Sequence, residues 1–467
     1  MSHLDRRSFL RQTAKYAGGA FMAPSLAGLV AWNDVDPAFG AVPDVRRAVL
    51  GTGGYGDLVP DAALPFLVPP GFTLRRVSQS GDTLAGGTGR VPTAFDGMAA
   101  YGMPNGKVRL VRNHEIRNNP AASTPIGGKP WDAKAPGGTT TLELTIHPVT
   151  GEPTLEREWV SLSGTCVNCA GGPTPWGSWL SCEETIEGPT HGRLKKHGYV
   201  FEVPASADAE VTPVALTAMG RFSHEAVAVD PTYGHVYETE DAGNNSGFYR
   251  FVPDHRTDLT KGGRLQMLAV VGRPALDTTR GGVPLFAPMP ARWVDVPDAD
   301  PDLENGATTC FLQGLAAGGT RFARLEGCWS GDNSCYFNAT SGGAARAGQV
   351  WQYKPATEDT GFLVLVFESP SSSVLDSPDN ITVSPRGGLV ICEDGDDEQY
   401  LRGLTKDGRI FDLARTGPGN NGTEFAGACF SPDGRVLFFN QQGSTNTESS
   451  TRAGTYALWG PWEEGAL

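Results

Sequence analysis

One short unit recurs along the chain, and it limits the possible folds more than any other feature. In "HEAVAVDPTYGHVYETED", residues 224–241, a strand-like run opens on His224 and Glu225, turns at Pro231 to Gly234 and closes on Glu238, Glu240 and Asp241. The same plan of polar start, apolar run, Pro/Gly turn, apolar run and polar end returns in residues 96–115, 168–184, 379–396 and 424–442, and more weakly in 326–340. Each unit is followed by one more strand-like run, at 141–148, 197–204, 246–253, 348–355, 407–414 and 454–461. A tight hairpin with a companion strand, repeated, is the pattern of β-propeller blades. The expected fold is therefore all-β, a six-bladed β-propeller with loop insertions, the largest over residues 254–325. A sandwich also uses short strands, but it has no need of the same polar residues at the same point of every unit. The 61 Gly, 35 Pro and 19% charged residues suit many short strands joined by turns.

The polar ends of such hairpins meet. The first residue of strand one and the last of strand two are neighbours at the edge away from the turn, which predicts Glu225 beside Glu240, Asn380 beside Glu393, Glu424 beside Asn440, and Asp96 beside His114 or Glu115. If these strands are innermost, one mouth of the channel is ringed by carboxylates. At about 4 Å each pair repels by a few kcal/mol even at a moderate effective dielectric, so the group must be protonated, solvated or neutralised by cations. A lone Glu at a strand end is ordinarily a solvated turn residue, but coincidence across the units argues for a set. Carboxylate and amide oxygens suit hard ions such as calcium or magnesium, whereas a thiolate at Cys182, next to Glu183, suits iron or zinc. The alternative for Cys182 is a buried apolar thiol, and for His224 and His114 a buried, hydrogen-bonded imidazole.

The formal charge of −14 argues against a nucleic-acid partner and is compatible with bound cations. Other catalytic signatures are missing: there is no GxSxG elbow, HExxH helix, Walker loop or EF-hand pattern. The opening "DRRSFLRQTA", with Arg6 and Arg7, precedes an uncharged stretch from Tyr16 to Trp32 that is broken by Gly18, Gly19, Pro24 and Gly28. Residues 1–40 therefore look like a twin-arginine export signal rather than a membrane anchor, with 41–467 as a single domain. That predicts a periplasmic or secreted protein, exported already folded by the twin-arginine machinery and without a stable membrane anchor. Eight cysteines in an exported chain raise the question of disulfides. Cys328 and Cys335 are close enough in sequence to bridge a loop, and Cys166 and Cys169 form a CxxC; for these four a disulfide and a buried thiol both stay open.

The segments "TPWGSWLSCEE", "GRFSHEAVAVDP", "VYETEDAGNNSGFYRFVP", "GQVWQYKP" and "LDSPDNITVSPRGGLVICEDG" resemble the PhoX-type alkaline phosphatases, from about residue 55 to the C-terminus. The resemblance implies a monomeric hydrolase of small phosphate monoesters with a mixed iron and calcium cofactor at one end of the channel, acting through a metal-activated water or bridging oxygen. It implies metal ligation by Cys182, Glu183, Glu225, Glu240, Glu326, Asp379, Glu393 and Glu424. It also implies basic side chains on the phosphate, for which Arg221 and Arg402 are the candidates, with His224 as ligand, phosphate contact or support. Two other readings remain at this level: a non-catalytic, calcium-stabilised binding module, and another propeller hydrolase such as a lactonase.

Overall fold

Turn chemistry decides where each strand stops. At Gly234 the backbone takes a φ of 76°, a left-handed conformation that strains other residues, and the chain reverses there. Residues 54–121, 123–418, 423–446 and 451–467 are described by a computed structural model, all within one compact unit, Val42–Leu467. The export signal expected over residues 1–40 lies outside the described residues.

Strands β1 (Val59–Pro60), β2 (Phe66–Val68) and β3 (Thr73–Gln79) precede six successive groups. The first holds β4 (Phe95–Gly102), β5 (Val108–His114), β6 (Gly137–Ile146) and β7 (Pro153–Thr165); the second β8 (Asn168–Pro173), β9 (Ser178–Glu183) and β10 (Val200–Pro204). The third runs through β11 (His224–Val229), β12 (Val236–Glu240), β13 (Phe248–Pro253), β14 (Gly263–Val270) and β15 (Met289–Asp295). After a short helix, α1 (Cys310–Ala316), the fourth comprises β16 (Leu325–Gly331), β17 (Ser334–Ala339), β18 (Gln349–Pro355) and β19 (Thr360–Glu368). The fifth is β20 (Pro378–Val383), β21 (Leu389–Glu393), β22 (Tyr400–Leu404) and β23 (Ile410–Thr416), and the last is β24 (Phe425–Phe430), β25 (Val436–Gln441) and β26 (Gly454–Trp459).

All pairings between the named strands are antiparallel, and they organise the groups into five sheets. The third and fourth groups share one nine-stranded sheet because β15, in the stretch expected as an insertion, pairs with β19. Strands β1 and β2 extend the fifth group at β23, and β3 is the outer strand beside β26. The companion runs fall where expected except at 407–414, which holds β23, a fourth strand; the third strand there is β22. The first strands touch one another in cyclic order, β4 to β8, β11, β16, β20, β24 and back to β4. The arrangement is all-β and propeller-like.

The faces between neighbouring groups are packed with apolar side chains. Phe248 stacks on Phe337, with ring centroids 4.1 Å apart, between the third and fourth groups. Phe66, Phe425, Phe439 and Tyr456 interlock between the fifth and sixth. Because each inner sheet is covered on both sides, strands such as β11 and β24 read as near-continuous apolar runs rather than alternating ones. At the axis the first strands come so close that side chains must be small. A Cβ on Gly97 would stand 2.5 Å from Ala170 Cα, and one on Gly327 would stand 2.6 Å from Asp379 O. These two glycines line the central channel together with Ala170, Ala226, Asn380 and Gly427.

Candidate metal centre

The same irregularity is built into every first strand. A β-bulge interrupts each hairpin, between Phe95 and Met98, Asn168 and Gly171, His224 and Val227, Leu325 and Cys328, Pro378 and Ile381, and Ala426 and Cys429. Two residues of the first strand then oppose one of the second, which re-aims a side chain. The residues placed in the first five bulges are Asp96, Cys169, Glu225, Glu326 and Asp379. In the sixth the corresponding residue is Gly427, and Glu424, just ahead of β24, supplies the acid. Two residues before four of these positions, Ala94, Val167, Arg324 and Ser377 hold left-handed φ values between 46° and 55°. Each costs on the order of 1–2 kcal/mol, and Val167, being β-branched, is the most strained. The carbonyls of these four residues accept the backbone N–H of Glu115, Glu184, Thr340 and Asp394 respectively, at 2.8–3.0 Å. Four of the nine left-handed non-glycine residues among the described residues thus stand next to the positions that present acidic side chains.

Four groups of potential ligands result: Glu115, Cys169 and Glu184; Asp96, Glu115 and Glu424; Glu225, Glu326 and Asp379; and Asp379, Asp394 and Glu424, with ligand atoms within 4.8 Å inside each group. Shared Glu115, Asp379 and Glu424 join them into one continuous cluster. Burial, then mutual repulsion, pushes Asp96, Glu225, Glu326 and Glu424 well above the usual carboxylate range. Burial likewise takes Asp379 up to about 7 and Glu115 up to about 8. The Cys169 thiol is raised by burial and by Asp96, Glu225, Glu115 and Glu184 around it. Both oxygens of Glu225 are buried without a hydrogen-bond partner at bonding geometry, with the Cys169 thiol beside it. Such an orphaned carboxylate is costly unless a cation takes it up. A donor set of one thiolate among many carboxylates fits a softer transition metal next to hard, oxygen-bound ions.

Two arginines flank this cluster. Arg117 contacts Glu115 and Glu184 through Nη2; Arg324 reaches Asp241 at 3.0 Å and Glu326 at 2.8 Å. Burial opposes their charge, but the adjacent carboxylates raise both pKa values. Their side chains stay 47% and 38% exposed, so each guanidinium still faces solvent in part.

Of the eight metal ligands expected, Glu225, Glu326, Asp379 and Glu424 join the cluster, and Cys182, Glu183, Glu240 and Glu393 do not. The register explains why. His224, not Glu225, opposes Glu240; Pro378 opposes Glu393; and Asn168 opposes Glu183. Successive residues of a strand point to opposite faces, so at the end of each second strand the next residue, Glu184, Asp241 or Asp394, turns to the axis instead. Cys182 pairs with Val200 and packs with Leu180, Leu216 and Met219. Glu183 accepts from the backbone of Cys166, Gly198 and Tyr199 and lies 2.6 Å from His197 Nδ1. Glu240 accepts from Tyr249 Oη at 2.6 Å and Gly247 N, and Glu393 from Arg402 Nε at 2.7 Å and Asp376 N.

The three residues expected at the phosphate are also committed elsewhere. Arg221 forms a two-pronged pair with Glu304 at 2.6 and 2.7 Å, and Arg402 is held by Glu393 and Asp412. His224 is buried, stacks on Phe222 at 3.6 Å and donates from Nε2 to Gly220 O; burial drives its pKa down to about 3, so it stays neutral. The residues missed in the ring are Cys169, Glu184, Asp394 and the two arginines, although doubled acids such as "CEE" and "CED" carried half of the signal. Cys166 and Cys169 part company, Cys166 packing with Ala135 and Val167. Cys328 and Cys335 face each other, Sγ to Sγ 3.1 Å, as buried thiols.

The profile of the family described as Alkaline phosphatase PhoX matches residues 53–444, most of the chain. Among solved structures, PhoX of Pseudomonas fluorescens in complex with vanadate, a transition state analogue, superposes with a TM-score of 0.65 at 19% identity, covering 89% of this chain and 99% of that one. A gluconolactonase of Xanthomonas campestris gives 0.41 at 11% identity over 88% and 99%, and the calcium-binding protein regucalcin of Agrobacterium tumefaciens 0.38 at 11% over 82% and 95%. No curated protein sequence matched.

Proposed function

The chain belongs to the alkaline phosphatase PhoX family, and on that premise we propose that it is an exported phosphomonoesterase whose active site is the carboxylate and thiol cluster at the axis of a six-bladed propeller. The closed cycle of first strands, with one bulge per hairpin, supports counting six blades. The observation that carries the active-site reading is Cys169 set among Glu115, Glu184 and Glu225. A purely structural calcium site has no use for a thiolate, which disfavours a calcium-stabilised binding module. Cys169, Glu115 and Glu184 would hold iron, and the all-carboxylate groups around Glu326, Asp379, Asp394 and Glu424 would hold calcium.

Bound iron and calcium would supply positive charge to the phosphoryl oxygens and a lower pKa for the attacking water. The chain's own residues do the rest. Arg117 and Arg324, solvent-facing beside the cluster, orient the phosphate and balance charge on its equatorial oxygens. Ordinary substrates would be small phosphate monoesters, met in the periplasm or outside the cell after twin-arginine export of the folded, metal-loaded monomer. Among the described residues no helix is long and apolar enough to cross a membrane.

The test is hydrolysis of p-nitrophenyl phosphate at alkaline pH by protein of measured metal content, before and after chelation and on re-addition of iron and calcium. The expected result is activity that disappears with the metals and returns with them. Protein that carries iron and yet leaves a panel of phosphate monoesters intact would refute the reading.

A further inference from the structure

In four of the six second strands, a buried side chain two residues before the inward-turning end donates a hydrogen bond to the next hairpin. Asn113 Nδ2 donates to Cys169 O at 3.0 Å and Ala170 O at 2.6 Å. Thr239 Oγ1 donates to Glu326 O at 2.6 Å, Asn338 Nδ2 to Asp379 O at 2.6 Å, and Asn440 Nδ2 to Asp96 O at 2.6 Å. All four donors are fully buried. In every case one acceptor is the carbonyl of a residue in the metal cluster, Asn113 reaching the neighbouring Ala170 O as well, and the direction is the same around the ring. Cys182 and Cys392 hold the two remaining positions; Cys392 takes a backbone hydrogen bond from Ala428, and Cys182 lies beside Glu225.

We infer that Asn113, Thr239, Asn338 and Asn440 are positioning residues that clasp the backbone of the next blade's ligand and so set the ring of ligands to a fixed spacing. The inference rests on the metal reading above. A bulge leaves a carbonyl outside the strand ladder, and the clasp satisfies that carbonyl while fixing the orientation of its residue. Thr239 shows the device most fully: its oxygen also accepts Ala226 N, in the bulge of its own hairpin, at 3.0 Å. One hydroxyl therefore locks the bulges holding Glu225 and Glu326 to each other.

The test uses the full chain loaded with iron and calcium, dialysed against EDTA, with bound metal measured over time and thermal midpoints recorded in parallel. Outer partners of ligands typically alter metal affinity about 10–100-fold. Thr239→Val, which keeps the shape and removes the hydroxyl, is expected to release metal 10–100-fold faster than wild type on that basis, while Thr239→Ser releases it at the wild-type rate. Asn338→Leu, which removes a single donor, repeats the Thr239→Val result at a second joint. Trp293→Phe, which deletes a hydrogen bond to Tyr353 in the apolar core, serves as the control that lowers the thermal midpoint without changing metal release. If Thr239→Val and Asn338→Leu hold metal like wild type, or if Thr239→Ser fails as badly as Thr239→Val, the clasp is overturned. A wild-type protein that binds no metal overturns the underlying reading, and the inference falls with it.

Discussion

His197 should make the stability of this protein fall between neutral and alkaline pH. The ring is buried between Glu183, 2.6 Å from Nδ1, and Asp132, 3.3 Å from Nε2. Burial disfavours the imidazolium, but the two carboxylates outweigh it and raise the pKa from 6.5 to about 9. Asp132, which also accepts from Lys134, Leu194 and Lys195 backbones, is held below the usual range against its own burial. A group with a raised pKa in the folded state stabilises fully below its unfolded pKa, and that contribution is lost as pH rises through the folded value. The window is therefore about pH 6.5 to 9. At 1.36 kcal/mol per pKa unit the contribution is about 3 kcal/mol, or roughly 3–6 °C of Tm for a chain this long. His197→Gln, which keeps a donor without a titrating charge, should be less stable than wild type by about that much at pH 6.5, with the gap closing above pH 9. Thermal unfolding of both metal-loaded proteins across this range decides it. A gap that stays constant with pH would refute the account of a protonated histidine bridging two carboxylates.

The thiols and the arginines give sharper functional contrasts. Cys169→Ser should lose iron and fall in activity by two orders of magnitude or more, about the upper end for a ligand's outer partner, whereas Cys182→Ala should keep its metal and lose about 1 kcal/mol of stability from the apolar cluster; elemental analysis with thermal melts separates the two. Arg117→Gln and Arg324→Gln should each lower kcat/KM by about 10²-fold, comparable to removing one donor at a developing charge, with metal content intact. Arg221→Gln should instead act through stability, because its partner Glu304 is structural.

The propeller pattern was legible because turns and apolar runs are local: Pro231 to Gly234 or Pro432 to Gly434 mark hairpins whatever surrounds them. That Glu225, Glu326, Asp379 and, just ahead of its strand, Glu424 meet in one acidic cluster was legible for the same reason. The second-strand members of the cluster were not, because side chains alternate with a period of two and a bulge shifts the pairing by one residue. Glu183 and Glu184, Glu240 and Asp241, Glu393 and Asp394 are adjacent acids of opposite orientation, and nothing in the string of letters says which faces the axis. Cys169 was hidden by its CxxC context, and the arginines Arg117 and Arg324 by lying in the loops just outside the hairpins.

The last sheet takes its outer strand from the other end of the chain, Gly454 pairing with Gln79 and Trp459 with Thr73. Every other propeller strand pairs with one near it in sequence, apart from the β15–β19 seam and the β1–β2 edge, so most strand pairs close short loops, while β3 and β26 meet across a loop of about 375 residues. Until that event the edges of β3 and β26 are both unpaired and open to other chains. A nascent chain therefore cannot pair β3 with β26 before synthesis reaches residue 454, and on the metal-centre reading proposed above the fully closed particle would be the first species able to retain ions.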